Sequence, residues 1–226
     1  ATHFTREPAV FRSITPAWNN RNLHNLCRVV ASDCILAHVR AATQSSGVNE
    51  ANCHPFRFRQ HLFMHNGDVG SFRAVRRRMM ETVCDEAFSN VYGSTDTEHF
   101  FALLIDELVR GGHGGDAADC MAGALHKAIE RVVELVARWG GGEPSFLNCA
   151  LSDGENAVVS RFTDSREHPP ESLYYFVGEL YPRVEIEETR EVGADTPALI
   201  VSSERLTPGP EWQKIPDNHM VILRRN

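Results

Sequence analysis

Four short segments carry the residues whose types could do chemistry together: Arg40 with Thr43, His54, Asn66 with Gly67, and Asp96. Arg40 ends the apolar run Cys34-Ile35-Leu36-Ala37-His38-Val39. From the end of a buried strand its planar guanidinium can grip an α-carboxylate through two parallel hydrogen bonds, with the Thr43 hydroxyl adding another. The same arginine can equally be half of a structural ion pair. Asp96 falls in the first turn of a helix, where it can accept bonds from an α-ammonium group or simply favour the helix start. Asn66 and Gly67 follow the apolar stretch His61–His65 and offer a side-chain amide and a backbone N–H, the parts of an oxyanion hole. An Asn-Gly pair is also an ordinary turn. His54, next to Pro55 in an irregular loop, either lines the same pocket or braces the loop. The chemistry the four share is recognition of an amino acid.

Other chemistries lack their residues. There is no G-x-S-x-G, H-E-x-x-H, P-loop or G-x-G-x-x-G pattern, which removes the motifs of serine hydrolases, zincins, NTPases and dinucleotide enzymes. His54, His61 and His65 lie close in sequence, yet no carboxylate or thiol is spaced with them as a metal ligand, so no metal and no cofactor is expected. With 23 Lys+Arg against 30 Asp+Glu the net charge is −7, so no basic excess exists to displace counterions from nucleic acid. Arg76-Arg77-Arg78 reads as a solvated helix face. The six cysteines form no C-x-x-C pair and read as reduced, mostly buried thiols of an intracellular protein. No apolar run approaches the roughly 20 residues of a membrane span, and the N-terminus has no signal-peptide pattern, so a cytoplasmic or organelle-matrix location is expected.

The elements that must position these residues follow from periodicity. Asn19 and Asn20 are candidate caps for a helix with Leu23, Leu26, Val29 and Val30 on one side. Residues 34–39 and 61–65 have strand character, and 43–56 is rich in turn formers. Thr95 and Glu98 fit a capping box ahead of Phe100, Phe101, Leu104 and Leu108. Met121, Leu125, Ala128, Val132 and Leu135 repeat at helical spacing, so two long helices are expected side by side on a sheet. Strands at 146–152 and 157–162 flank Asp153-Gly154-Glu155-Asn156, a hairpin signal. Further strands are expected at 172–177, 184–188, 198–202 and 219–223. Strands, two helices and more strands describe an α+β layered protein of one domain.

Taken in order, HVRAAT at 38–43, NCHPF at 52–56, FMHNGD at 63–68 and STDTE at 94–98 resemble a class II glutamine amidotransferase domain. PAWNN at 16–20, LNCALSDG at 147–154, SLYY at 172–175 and SSERLT at 202–207 are similar to the subgroup that cleaves γ-glutamyl bonds in glutathione degradation and ergothioneine synthesis. The resemblance implies an αββα N-terminal-nucleophile hydrolase fold spanning residues 1–226 as a partial domain. It implies that Arg40 and Thr43 bind the glutamyl α-carboxylate region, His54 lines the pocket, Asn66 and Gly67 form the oxyanion hole, and Asp96 holds the α-amino group. It further implies a small-molecule γ-glutamyl substrate such as glutamine or glutathione, and leaves room for a partner subunit or a homo-oligomer. The nucleophile in such enzymes is a first-residue cysteine whose own α-amine serves as base. This sequence begins with Ala1, so the expectation is a fragment, a processed or split piece, or an incompletely built chain. A catalytically inactive homologue acting as a structural or assembly subunit is the alternative.

Overall fold

The computed structural model describes residues 7–39, 49–111, 114–179 and 197–225. In chain order its strands are β1 (Phe56–Phe58), β2 (His61–Asp68), β3 (Phe146–Ser152), β4 (Ala157–Arg161), β5 (Tyr174–Glu179), β6 (Pro197–Ser202), β7 (Gln213–Lys214) and β8 (His219–Leu223). The α-helices are α1 (Arg21–Cys27), α2 (Phe72–Glu81), α3 (Asp85–Phe88), α4 (Asp96–Arg110) and α5 (Ala117–Trp139). One sheet runs β1-β2-β3-β4-β8 and the other β6-β5-β7, with every neighbouring pair antiparallel.

Side chains of a strand point alternately to its two faces, and here both faces of the larger sheet are covered. Phe63, Leu147, Cys149, Leu151 and Val158 join the helices in the main core, with Met220 and Ile222 packed against it. The intervening residues Ala150, Val159 and Val221 meet Leu173, Tyr175, Val201 and Ile215 from the smaller sheet and its flanks. A helical layer on two antiparallel sheets follows, in accord with the expected α+β architecture.

The two long helices form where periodicity predicts them. Asp116 caps α5 by accepting from the Ala118 and Asp119 N–H groups at 2.9 and 3.2 Å. Met121, Leu125, Ala128, Val132 and Val136 form the buried stripe of α5, with Val136 in place of the expected Leu135, which is only partly buried. In α4, Phe100 to Ile105 are all buried, and Phe101 stacks on Phe63 at 5.1 Å between ring centres. Each such large side chain contributes about 1.5–3 kcal/mol by leaving water. The hairpin at 153–156 also forms, with Asp153 Oδ1 accepting from the Glu155 and Asn156 N–H groups and Gly154 at φ +90°.

Three expectations change. Residues 34–39 belong to no strand, and Ile35 and Val39 are 73% and 79% exposed. A β-branched apolar run becomes a strand only against a neighbour that completes its hydrogen bonds, and it has none among the described residues. Helix α1 is capped by Asn20, which accepts from the Leu23 N–H at 3.0 Å, but it stops at Cys27 and leaves Val29 and Val30 exposed. Of the six cysteines only Cys149 is buried, whereas the expectation was that most would be. The strand expected at 184–188 lies outside the described residues.

Candidate active site

The site is built where the end of β2 meets the start of α4. Asp96, the first residue of α4, accepts the Val69 N–H through Oδ2 at 2.9 Å and the Thr97 N–H through Oδ1 at 2.8 Å. A second tie comes from His65, whose ring lies 3.0 Å (Nδ1) from the Thr97 hydroxyl and 2.9 Å (Nε2) from the Phe146 carbonyl. A carbonyl only accepts, so Nε2 carries the proton and Nδ1 faces the hydroxyl. His65 thereby joins β2, β3 and α4 from the core side of the sheet. Because strand side chains alternate, Asn66 projects from the opposite face and is exposed.

Gly67 is required at its position for two separate reasons. Its φ of +138° is a region that side-chain-bearing residues rarely adopt, and a Cβ there would run into the Phe146 carbonyl. The β2 backbone can therefore approach β3 closely at the point where Asn66 leaves the sheet.

The turn before α4 is held by buried polar groups. Thr95 Oγ1 accepts from the Glu98 N–H at 3.2 Å, as a capping box requires, but Glu98 does not reach back to its cap. Its carboxylate instead takes the Tyr92 and Gly93 N–H groups at 2.7 and 2.6 Å. Burial raises the Glu98 pKa, and those two backbone bonds oppose the shift. Asn52 Oδ1 accepts the Ser94 N–H at 3.0 Å, which draws the loop bearing His54 against the same turn. His54 is buried, edge-on to His38 at 4.1 Å and to Phe56 at 5.0 Å, and precedes a cis Pro55. The Pro55 carbonyl accepts two bonds from Arg12, at 3.0 and 2.6 Å.

These segments surround a cavity of about 590 Å³ whose wall includes His54, Asn66, Gly67, Asp96, Thr97 and Glu171. Four of the six residues singled out from sequence thus share one cavity, although they come from three separate stretches of chain. Arg40 and Thr43 lie outside the described residues. A second concavity of about 500 Å³, beside Arg12, Asn20 and Glu50, contains none of them. Among the described residues no group of three or more His, Cys, Asp or Glu side chains is placed to hold a metal. Nor is any helix there long and apolar enough to cross a membrane.

The cavity can do specific things. It offers an amide donor at Asn66, a carboxylate at Asp96 whose two oxygens keep further lone pairs after binding backbone, and acidic neighbours at Asp68 and Glu171. That set fits a ligand with a cationic amine at one end and a carbonyl at the other. The family model of the class-II glutamine amidotransferases matches residues 6–226. The chain belongs to this family.

Among class-II glutamine amidotransferase relatives, the probable glutamine amidotransferase DUG3 of Saccharomyces cerevisiae is 35% identical over 231 aligned positions, spanning 96% of this chain and 64% of that protein. The γ-glutamyl-hercynylcysteine sulfoxide hydrolase of Mycobacterium tuberculosis is 31% identical over 105 positions, spanning 46% of this chain and 44% of that protein. The chain therefore spans less than two thirds of either relative. A solved class-II domain protein from Silicibacter pomeroyi superimposes with a TM-score of 0.71 at 31% identity, covering 96% of this chain and 82% of that one. These two relatives carry the names of an amidotransferase and a hydrolase, and the Silicibacter pomeroyi protein shares the layered fold described above.

In and beside this cavity lie residues that were not singled out from the sequence. Thr97 and Glu171 line the cavity, and Asn148 and Arg161 both donate to the Glu171 carbonyl, contacts that only strand register and packing create. Arg161 is fully buried at the end of β4 and donates to the Glu171, Ile215 and Pro170 carbonyls at 2.7, 3.0 and 2.7 Å while pairing with Asp217. It fixes the two loops that join the sheets. A lone arginine before an aromatic residue gives no sequence signal for this. Cys149 is no candidate nucleophile, since burial pushes its thiol up to about 12 and keeps it protonated.

Proposed function

We propose that the protein hydrolyses a γ-glutamyl amide bond, in glutamine or in a γ-glutamyl peptide such as glutathione. The observation that carries this reading is the single cavity that brings Asn66, Gly67 and Asp96 together beside His54. In this reading Asp96 binds the substrate α-ammonium group, and its position is set by the Val69 and Thr97 N–H bonds. Asn66 and the Gly67 backbone donate to the carbonyl oxygen as it gains charge, a role worth about 3–4 kcal/mol of barrier per good donor. His54 closes the wall of the pocket, and Arg40 with Thr43 takes the α-carboxylate. The nucleophile is a terminal cysteine, which this 226-residue sequence does not contain. Its thiolate attacks the amide carbon, the amine or ammonia leaves with a proton, and water cleaves the γ-glutamyl thioester to release glutamate.

The DUG3 and γ-glutamyl-hercynylcysteine sulfoxide hydrolase likenesses support the substrate class. The test is glutamate release from glutamine and from glutathione by the protein purified from its native source, compared with Asn66→Ala. Release that Asn66→Ala nearly abolishes is the expected result. No release from either substrate, by a protein shown to be folded, overturns the proposal in favour of an inactive homologue with an assembly role.

A further inference from the structure

Asn148 lies in β3 directly opposite Asn66 of β2, so the two carboxamides leave the sheet from the same face. It is only 6% exposed, and its Nδ2 donates to the Glu171 carbonyl at 3.0 Å. That bond settles which way the carboxamide points, because a carbonyl can only accept. Arg161 Nε donates to the same oxygen at 2.7 Å, and its other bonds hold the neighbouring backbone, so the anchor is itself fixed. Asn148 Oδ1 is then the half of the group left over. It is buried and accepts no hydrogen bond, which is unusual because an acceptor taken out of water without a partner keeps its full desolvation penalty.

We infer that Asn148 is a positioning residue for Asn66: its Oδ1 accepts one N–H of the Asn66 carboxamide, so that the other N–H is aimed at the substrate carbonyl oxygen. Directly opposite residues in an antiparallel pair have Cβ atoms about 4.5–5.5 Å apart, within reach of two carboxamides. Asn66 is exposed and has rotamers to choose among, so an unguided carboxamide would spend part of its time turned away or with its oxygen towards the oxyanion. A chain of oriented dipoles removes that freedom: Arg161 and Asn148 both donate to the Glu171 carbonyl, and Asn148 accepts from Asn66. Donors fixed before the reaction need no reorganisation as charge develops. The unpaired acceptor is thus explained as the waiting half of a bond made when substrate draws Asn66 into place.

This inference rests on the γ-glutamyl reading and on Asn66 as an oxyanion donor. The test is a double-mutant cycle of Asn66→Ala and Asn148→Leu in the native protein, read as kcat and KM for glutamine or glutathione together with thermal melting. Leucine roughly fills the asparagine volume and removes the unpaired oxygen, and Arg161 still holds the Glu171 carbonyl. The expected result is an unchanged or raised Tm, a kcat lower by about 10- to 100-fold, and KM within about threefold, since only the charged transition state feels the misaimed donor. In the Asn66→Ala background Asn148→Leu should have almost no further effect on kcat. Unchanged kcat in Asn148→Leu, or losses that simply multiply in the double variant, would overturn the inference while leaving the γ-glutamyl reading intact. A fall in Tm with kcat and KM moving together would also overturn it, as the mark of a structural role. A wild-type protein without γ-glutamyl turnover removes both.

Discussion

Helix α4 carries two aspartates ten residues apart whose surroundings are opposite. Asp106, in its buried middle, has no exposed side-chain surface. It accepts the Cys84 N–H at 2.8 Å and pairs with Arg131 at 2.7 Å and Arg110 at 3.1 Å. Burial works to raise its pKa, but Arg131 and the Cys84 bonds outweigh that and leave it below the usual carboxylate value. Asp96, at the first turn, is half-buried, has backbone N–H partners and faces a cavity. A carboxylate whose charge is met by arginines holds elements together. One held in place by neutral backbone donors still has charge to offer a ligand.

That contrast can be broken most forcefully in the middle of the helix. Asp106→Ala leaves the Cys84 N–H and part of the Arg131 charge without their partner, and is expected to cost about 3–5 kcal/mol of stability in denaturant unfolding. Its kcat and KM, measured where the variant is still folded, should match wild type. At the site the signs reverse. Asn66→Ala should lower kcat by about 100- to 1000-fold with melting almost unchanged, because an exposed side chain carries little of the packing. Asp96→Asn keeps one acceptor for backbone but loses the charge, and should raise KM for the γ-glutamyl substrate by about 10- to 100-fold, the equivalent of about 1.5–3 kcal/mol. A comparable loss of activity in Asp106→Ala, or an unfolded Asp96→Asn, would show that the two ends of α4 do not divide their roles in this way.

The smallest effect sharpens the comparison through pH. His99, one turn into α4, is buried, lies 2.7 Å (Nδ1) from the Thr95 carbonyl and accepts from Arg76 Nε at 3.0 Å through Nε2. Burial, aided by the Arg76 charge, lowers its pKa against the opposing Thr95 bond. The unfolded chain then takes up a proton at higher pH than the folded one, so stability should fall as pH drops below about 6.5, the ordinary imidazole value. Burial also lowers the pKa of His61 in the same direction. Thermal melting between pH 7 and 5 should therefore flatten in His99→Gln without becoming wholly level.

Much of the scaffold was legible because its determinants are local. The stripe of α5, the Thr95 cap and the Asp153–Asn156 turn each act within a few residues, and each forms as periodicity, capping and turn chemistry predict. Glu98 shows where local reasoning stops: it sits at the capping-box position but bonds two N–H groups upstream, since the turn at 92–93 folds back over it. The run 34–39 shows the same limit for strands, whose partners are remote. Within the site, Asn66, Gly67, Asp96 and His54 were recognisable by residue type and by family resemblance, whereas Glu171 and Arg161 were not, and Asn148 lay in the quoted segment 147–154 without a role. Nothing near them in sequence says what they face.

The sequence by itself determined which residues can accept an ammonium group, donate to a carbonyl and adopt positive φ, and it determined the two long helices and the hairpin, because side-chain chemistry and short-range backbone preference travel with the residue. Tertiary structure alone decided that Asp96 reaches across to the end of β2, that Asn66 and Asn148 stand opposite one another, and that Asp106 is answered by Arg131 while Asp96 is not. Those outcomes depend on strand register and on packing between segments tens of residues apart, where a shift of one residue would turn each side chain to the other face.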